Sequence, residues 1–228
     1  MVGNLINSKF NYIGTPTGYP NIRQTSVNGK RAYQTADGTY PSITQVLSSV
    51  VPPGILEWRK SVGDDVANYV MRVAAKRGRG VHSMLRQQLT GSPIHGMVAE
   101  YGLLESALYR LMQPAVQRID DIRGIEIPVY SSKLCVAGMA DVIADFDGIP
   151  SVVDWKTATR LYDEINKSYI LQATFYAVAW EELTGEKLDQ IVIVVASEQG
   201  LVQVFKDKPS DHVRELRKVI REYRKSHG

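Results

Sequence analysis

Asp154 and Lys156 stand two residues apart at the end of the apolar pair Val152-Val153. On a strand, that spacing sends both side chains out of the same face. A buried Asp or Lys alone would be costly, but around a divalent cation and a water the two make a working pair. Asp141 lies thirteen residues upstream, in another β-patterned segment, and the intervening Asp147-Gly148 has the composition of a two-residue hairpin turn. A hairpin about that turn sets positions 141 and 154 nearly opposite each other. Cross-strand neighbours on one face can converge on one metal ion. Gly138, three before Asp141, leaves room where a phosphate or a backbone could approach. The plain alternative is an ordinary strand-edge salt bridge between Asp154 and Lys156.

The elements that must position these residues follow from periodicity. From Gly124 the apolar period is 2, which predicts strands over Gly124–Ser131, Leu134–Phe146 and Pro150–Trp155. Tyr169–Leu183 reads as an amphipathic helix ending at Gly185, then Leu188–Ala196 and Leu201–Phe205 as strands, and Pro209–Lys225 as a basic helix. Upstream, a helix is expected over about 95–117 and a long one from Asp64-Asp65 to Leu89. The long helix carries Val66, Tyr69, Val70 and Val73 on one side, and Gly78 and Gly80 interrupt it beside His82, each at a cost of about 1 kcal/mol. A short helix over 55–61 carries Trp58, and Pro52-Pro53-Gly54 breaks the chain before it. Ser42 is placed as N-cap of another short helix with Ile43, Val46 and Leu47 inward. Asn28-Gly29 predicts a β-hairpin and Asp37-Gly38 a second turn. The α-β-β-β-α-β-β-α order predicts a mixed α/β fold, a mixed sheet sandwiched by helices. A single domain is expected over 1–228, with a β-hairpin region over 1–40, a helical region over 41–120 and a catalytic core over 121–228.

Composition narrows the function classes. The 228 residues are 44% hydrophobic and 22% charged, which excludes a mostly disordered or collagen-like chain. The single cysteine, Cys135, excludes an internal disulfide, a thiolate zinc site and an iron–sulfur cluster. No apolar run nears the roughly 18 residues of a membrane span, so no membrane association is expected. No Asp or Glu precedes Asp37, as in transit peptides, yet Pro16, Gly18, Pro20 and scattered tyrosines argue against an amphipathic targeting helix. Net charge is only +3, but it is segregated: seven basic against three acidic residues over 57–89, eight against four from Lys206 onward, and five against nine over 90–156. An acidic centre flanked by basic helices suits a polyanion held over a metal site; solvated helix faces would give the same pattern.

G-x-x-D, about a dozen residues and then D-x-K resembles the signature of the PD-(D/E)XK nuclease superfamily. The likeness is nearest to its RecB-type exonuclease branch, which adds an upstream helix His, a Glu on the first strand and Q-x-x-x-Y on the next helix. Gly80-Val81-His82, Glu126, Gly138 to Asp141, Asp154 to Lys156, and Gln172 to Tyr176 stand in that order. The run from Tyr40 to Leu47 and the Ala-Ala-Lys-Arg-Gly over 74–78 also look like those of bacteriophage and mitochondrial genome maintenance exonucleases.

The resemblance implies a restriction-endonuclease-like αβββαβ core with a helical N-terminal elaboration. It implies a deoxyribonuclease using one or two Mg²⁺ or Mn²⁺ ions, held by Asp141, Asp154 and the Trp155 carbonyl, with His82 reaching a metal position from the helix side and Glu126 near the metal, binding through water. Lys156 would orient or deprotonate the attacking water, steadied by Gln172 and Tyr176, which are four apart on one helix face. Trp155 stands where relatives often have Tyr, its side chain pointing away. Ser42, Gln45, Arg59, Lys76, Arg77, Arg79 and Arg86 are the expected DNA contacts, and Trp58, Tyr40 and Tyr69 could stack on bases or pack in the core. His95, His212 and His227 read as surface residues. The expected substrate is single-stranded DNA or single-stranded ends, with a structure-specific endonuclease or an inactive DNA-binding module as rivals. A recombination or single-strand-binding protein is a possible partner, and the cytoplasm of a phage-infected or bacterial cell is expected before a mitochondrial matrix.

Overall fold

The computed structural model describes residues 10–49, 53–94 and 96–227; His95 lies outside the described residues. The strands β1 (Arg23–Val27), β2 (Lys30–Thr35) and β3 (Gly38–Pro41) form an antiparallel sheet. Asn28 and Gly29 take φ of 51° and 74°, the paired positive angles of the tight turn that joins Val27 to Lys30. The expected hairpin thus gains a third strand. Its second turn falls on Ala36-Asp37 instead of Asp37-Gly38, because Gly38 pairs with Thr35 and the Thr35 hydroxyl donates to the Gly38 carbonyl at 2.9 Å.

Helix α1 (Ile43–Ser48) starts after Ser42, whose side chain makes no capping hydrogen bond; Ile43, Val46 and Leu47 are buried as the periodicity predicts. Next come α2 (Pro53–Val62) and α3 (Asp64–Leu89). Gly78 and Gly80 do not interrupt α3. Gly80 lets it pack closely, since a Cβ there would lie 3.0 Å from Glu105 Cγ. The stripe Val66, Tyr69, Val70 and Val73 is exposed, and the buried side of α3 is Ala67, Arg77, Val81, Met84, Leu85 and Leu89. The helix expected over 95–117 is instead three, α4 (Met97–Tyr101), α5 (Leu103–Leu111) and α6 (Gln113–Val116). Gly102 at φ 103° separates the first two, and Pro114, which lacks an N–H, stands at the start of the third.

The C-terminal half comprises β4 (Ile119–Ser131), β5 (Val136–Phe146), β6 (Ile149–Ala158), α7 (Lys167–Thr184), β7 (Gln190–Ser197), β8 (Val202–Asp207) and α8 (Pro209–His227). The five strands lie in sequence order, antiparallel except for β6 and β7, which α7 connects as a crossover. Asn166 caps α7 by accepting from the Ser168 N–H at 2.9 Å, and Gly185 in the left-handed region closes it. β7 is buried along its whole length, which is why it reads as an unbroken β-branched run. One sheet face packs on Val46, Leu171, Phe175, Leu216 and Ile220 from α1, α7 and α8. The other packs on Val81, Met84, Leu85 and Leu108 from α3 and α5. Within β4, the buried Arg123 is neutralised by Asp145 and Glu186, each at 2.7 Å. Among the described residues no helix is long and apolar enough to cross a membrane.

Candidate active site

The site forms where the central hairpin opens. β5 and β6 pair from Phe146–Ile149 to Val142–Val153 around Asp147 and Gly148, whose φ values of 55° and 75° make the expected turn. One step further Asp141 would meet Asp154, but the ladder ends. Instead Asp141 Oδ2 accepts from the Trp155 N–H at 3.0 Å, so a carboxylate replaces a backbone carbonyl. On the other flank, the register pairing Ile125 with Val142 and Ile127 with Ala140 sets Glu126 opposite Asp141. Glu126 takes φ 46°. Ile127 and Ala140 face one core while Ile125 and Val142 face the other. Both strands therefore change face here, as a bulge does, and re-aim their side chains. Glu126, Asp141 and Asp154 stand in a row across three neighbouring strands.

His82 comes down from α3 onto this row. Its Nδ1 lies 3.4 Å from Asp141 Oδ1 and its Nε2 is 2.9 Å from the Trp155 carbonyl oxygen, to which an N–H there donates. Lys156 Nζ lies 2.5 Å from Asp154 Oδ2 and 3.4 Å from Gln172 Oε1, to which it donates. Gln172 Nε2 donates to Tyr176 Oη at 2.7 Å. Tyr169, absent from the expected site, places its ring 4.9 Å from Lys156 Nζ. Its position three residues before Gln172 and seven before Tyr176 is the signal that could have found it. The Trp155 side chain is buried in the opposite core, as expected.

Burial dominates the electrostatics. It pushes the Asp154 carboxyl up to about 6, against the pull of Lys156 and helped by the like charge of Asp141. Burial would also raise Asp141, but His82, Lys156 and the Trp155 N–H together outweigh it and lower that carboxyl. Burial disfavours the His82 imidazolium, yet Asp141's charge and hydrogen bond prevail and raise it to about 9. Lys156 would be lowered by burial; Asp154 and Asp141 reverse this and raise it. With no ion bound, the ammonium is therefore the favoured form of Lys156. Burial raises Tyr176 well above 10, so it stays a phenol.

A hard cation fits the donors present. Asp141, Asp154 and the Trp155 carbonyl offer oxygens only, the chemistry Mg²⁺ and Mn²⁺ prefer. Asp154 Oδ2 is buried and takes no directed hydrogen bond despite its contact with Lys156. Among the described residues no three His, Cys, Asp or Glu side chains are grouped to hold a metal, so the set is two carboxylates and one backbone carbonyl. Glu126 lines the same small crevice as His82, Asp141 and Trp155 but is exposed and pairs with Arg86 Nε at 3.3 Å.

The other expected DNA contacts are scattered. Lys76 and Arg79 are exposed on α3. Arg59 bonds Asp64 at 2.6 Å and Asn68 at 2.8 Å. Arg77 is buried, with its Nε donating to Thr157 Oγ1 at 3.2 Å and its Nη1 paired with Glu198. Ser42 is buried, and Gln45 donates to Tyr223 Oη at 2.6 Å. Trp58 and Tyr69 are exposed, while Tyr40 is partly buried beside Tyr130. His212 is partly buried, at 2.7 Å from Asp207.

Gly138 leaves no open space for a phosphate. A Cβ there would lie 2.7 Å from Tyr176 Cε1 and 3.0 Å from Ile43 Cγ2, so the tyrosine ring occupies the room. Gly138→Ala should therefore destabilise the fold by about 1–3 kcal/mol by overpacking. By displacing Tyr176 it should also disturb Gln172, which donates to that hydroxyl. Denaturant unfolding checks the first effect, and an unchanged midpoint would show that the ring can yield.

A family model described as the PD-(D/E)XK nuclease superfamily matches residues 66–226. Mouse mitochondrial genome maintenance exonuclease 1 is 26% identical over 144 residues, covering 57% of this chain. The chain spans 40% of that relative's length. A solved structure titled "Crystal structure of SSO0001" aligns at a TM-score of 0.45 and 11% identity, over 82% of this chain and 76% of that one.

Proposed function

The chain belongs to the PD-(D/E)XK nuclease superfamily, and on that premise we propose that it is a Mg²⁺- or Mn²⁺-dependent deoxyribonuclease that digests single-stranded DNA or single-stranded ends as an exonuclease. The observation that carries this reading is the meeting of Asp141, Trp155, Asp154 and Lys156 at the open end of one hairpin. Asp141, Asp154 and the Trp155 carbonyl would hold the ion. When bound, the ion lowers the pKa of a water and offsets charge on the phosphoryl oxygens. The remaining work falls to side chains. The Lys156 ammonium, held by Asp154, Gln172 and Tyr169, stabilises charge developing on the phosphate. Gln172 and Tyr176 fix its direction. His82 holds Asp141 and the Trp155 carbonyl in place from the helix side.

Preference for single strands draws support from the helical hairpin α2–α3. Trp58 and Tyr69 are exposed there, Arg72 lies 5.9 Å from the Tyr69 ring, and Lys76 and Arg79 are exposed further along α3. Aromatic faces among cations bind unpaired bases at roughly 1–3 kcal/mol per base. The name of the mouse relative, an exonuclease, favours attack from an end. DNA recombination or repair in a bacterial or phage-infected cell is the setting we favour, with a mitochondrial one as the alternative that the relative's name raises.

Incubation of end-labelled linear and circular single strands with Mg²⁺, Mn²⁺ or chelator tests the proposal. The linear strand should shorten, the circle should persist, and chelator should stop the reaction. A nicked circle would indicate an endonuclease, and no cleavage of either would leave a binding module.

A further inference from the structure

We infer that Arg77 is a positioning residue that holds His82 over the metal-binding strand ends, and that it does not contact phosphate; this rests on the nuclease reading above. Arg77 is basic and belongs to a basic run, but only 8% of its side chain is exposed. Its guanidinium is committed on two sides. Nε donates to Thr157 Oγ1 at 3.2 Å, on the residue after Lys156, and Nη1 pairs with Glu198 in the turn between β7 and β8. Glu198 in turn donates its N–H to the Ala158 carbonyl at 3.0 Å. One side chain therefore ties α3 to the end of β6 and to the neighbouring turn. Gly78, the next residue, lies against the same partner, since a Cβ there would meet Thr157 Oγ1 at 3.8 Å, an ordinary contact.

The place of Arg77 along α3 gives the tie its meaning. From Asp64 to Lys76 the helix is exposed except at Ala67 and the partly buried Ala74, whereas from Arg77 onward Val81, Met84, Leu85 and Leu89 are all buried. Arg77 is thus the first residue of the docked half, and His82 follows five residues later. The tie sets the height and rotation of α3, and so the 2.9 Å and 3.4 Å contacts of His82 with the Trp155 carbonyl and Asp141. It also separates the exposed arm from the site, so that motion of the arm does not carry His82 away.

Two variants test this. Arg77→Met removes both ties; Thr157→Val removes one and leaves Arg77 with Glu198. Misplacement by about 1 Å can cost on the order of a hundredfold in rate. Arg77→Met should lower kcat about 30- to 100-fold and Thr157→Val about three- to tenfold. For both, KM, strand affinity in chelator and its salt dependence should match wild type, and Arg77→Lys, which can reach one partner, should recover part of kcat. A fall in affinity and salt slope with kcat intact would overturn the inference in favour of phosphate contact. A lower Tm with kcat intact would overturn it in favour of a merely structural role. The second readout is the His82 ring nitrogen resonances of metal-free protein, expected to shift in both variants. If wild type cleaves no DNA while those resonances shift, the nuclease reading fails and the tie stands. If wild type cleaves and the resonances stay fixed, the tie fails alone.

Discussion

Lys156→Ala should cost about 10³-fold or more in the rate of DNA cleavage while strand affinity in chelator stays within about threefold of wild type. The expected size follows from where the ammonium sits. It is held by Asp154 at 2.5 Å, Gln172 at 3.4 Å and the Tyr169 ring at 4.9 Å, so it is aimed before any substrate arrives. Preorganised charge of that kind is worth more in a dry site than in water, because nothing must reorganise during reaction. A cation that merely bound DNA would act mostly on affinity. The substitution also strands Asp154, which is almost fully buried and already raised by burial, and removal of a partner from a buried charge destabilises. The rate should therefore be measured well below the variant's unfolding temperature. Gln172→Ala, which removes only the amide, gives a milder comparison. A loss of affinity that matches the loss of rate would show Lys156 to be a binding residue.

The central hairpin was legible because its signals are local. Asp147-Gly148 accepts the two positive φ angles of a tight turn, and that turn alone fixes the register carrying 141 towards 154. The face of α7 was legible for the same reason, since Gln172 and Tyr176 sit one turn apart and bond each other. What the sequence hid is set by distant partners. The change of face at Glu126 and Asp141 needs two strands to slip out of the ladder together, and neither residue type announces it. Gly138 looked like an empty place because Tyr176, which fills it, arrives from another element. Arg77 looked like its exposed neighbours Lys76 and Arg79, and only Glu198 and Thr157, more than 70 residues away in the chain, draw it inside. The apolar stripe of Val66, Tyr69, Val70 and Val73 had a helical period and yet no core to face.

The account stands or falls on Asp141 and Asp154 acting as one binding site. Each is a candidate oxygen ligand, joined through the backbone of Trp155, whose N–H meets one carboxylate and whose carbonyl is the third donor. Either substitution to Asn keeps the shape and removes a charge, so each should weaken binding severely, by about 100-fold or more, above what loss of a supporting contact costs. Asp154→Asn also leaves the Lys156 ammonium without its carboxylate and should lower stability, so binding is compared on folded protein. The most direct measurement is calorimetric titration of Mn²⁺ into wild type, Asp141→Asn and Asp154→Asn without DNA, with the unfolding temperature of each recorded. Wild type should bind at least one ion per chain, and both folded variants should lose that ion. Binding of Mn²⁺ by both variants as tightly as by wild type would contradict the account.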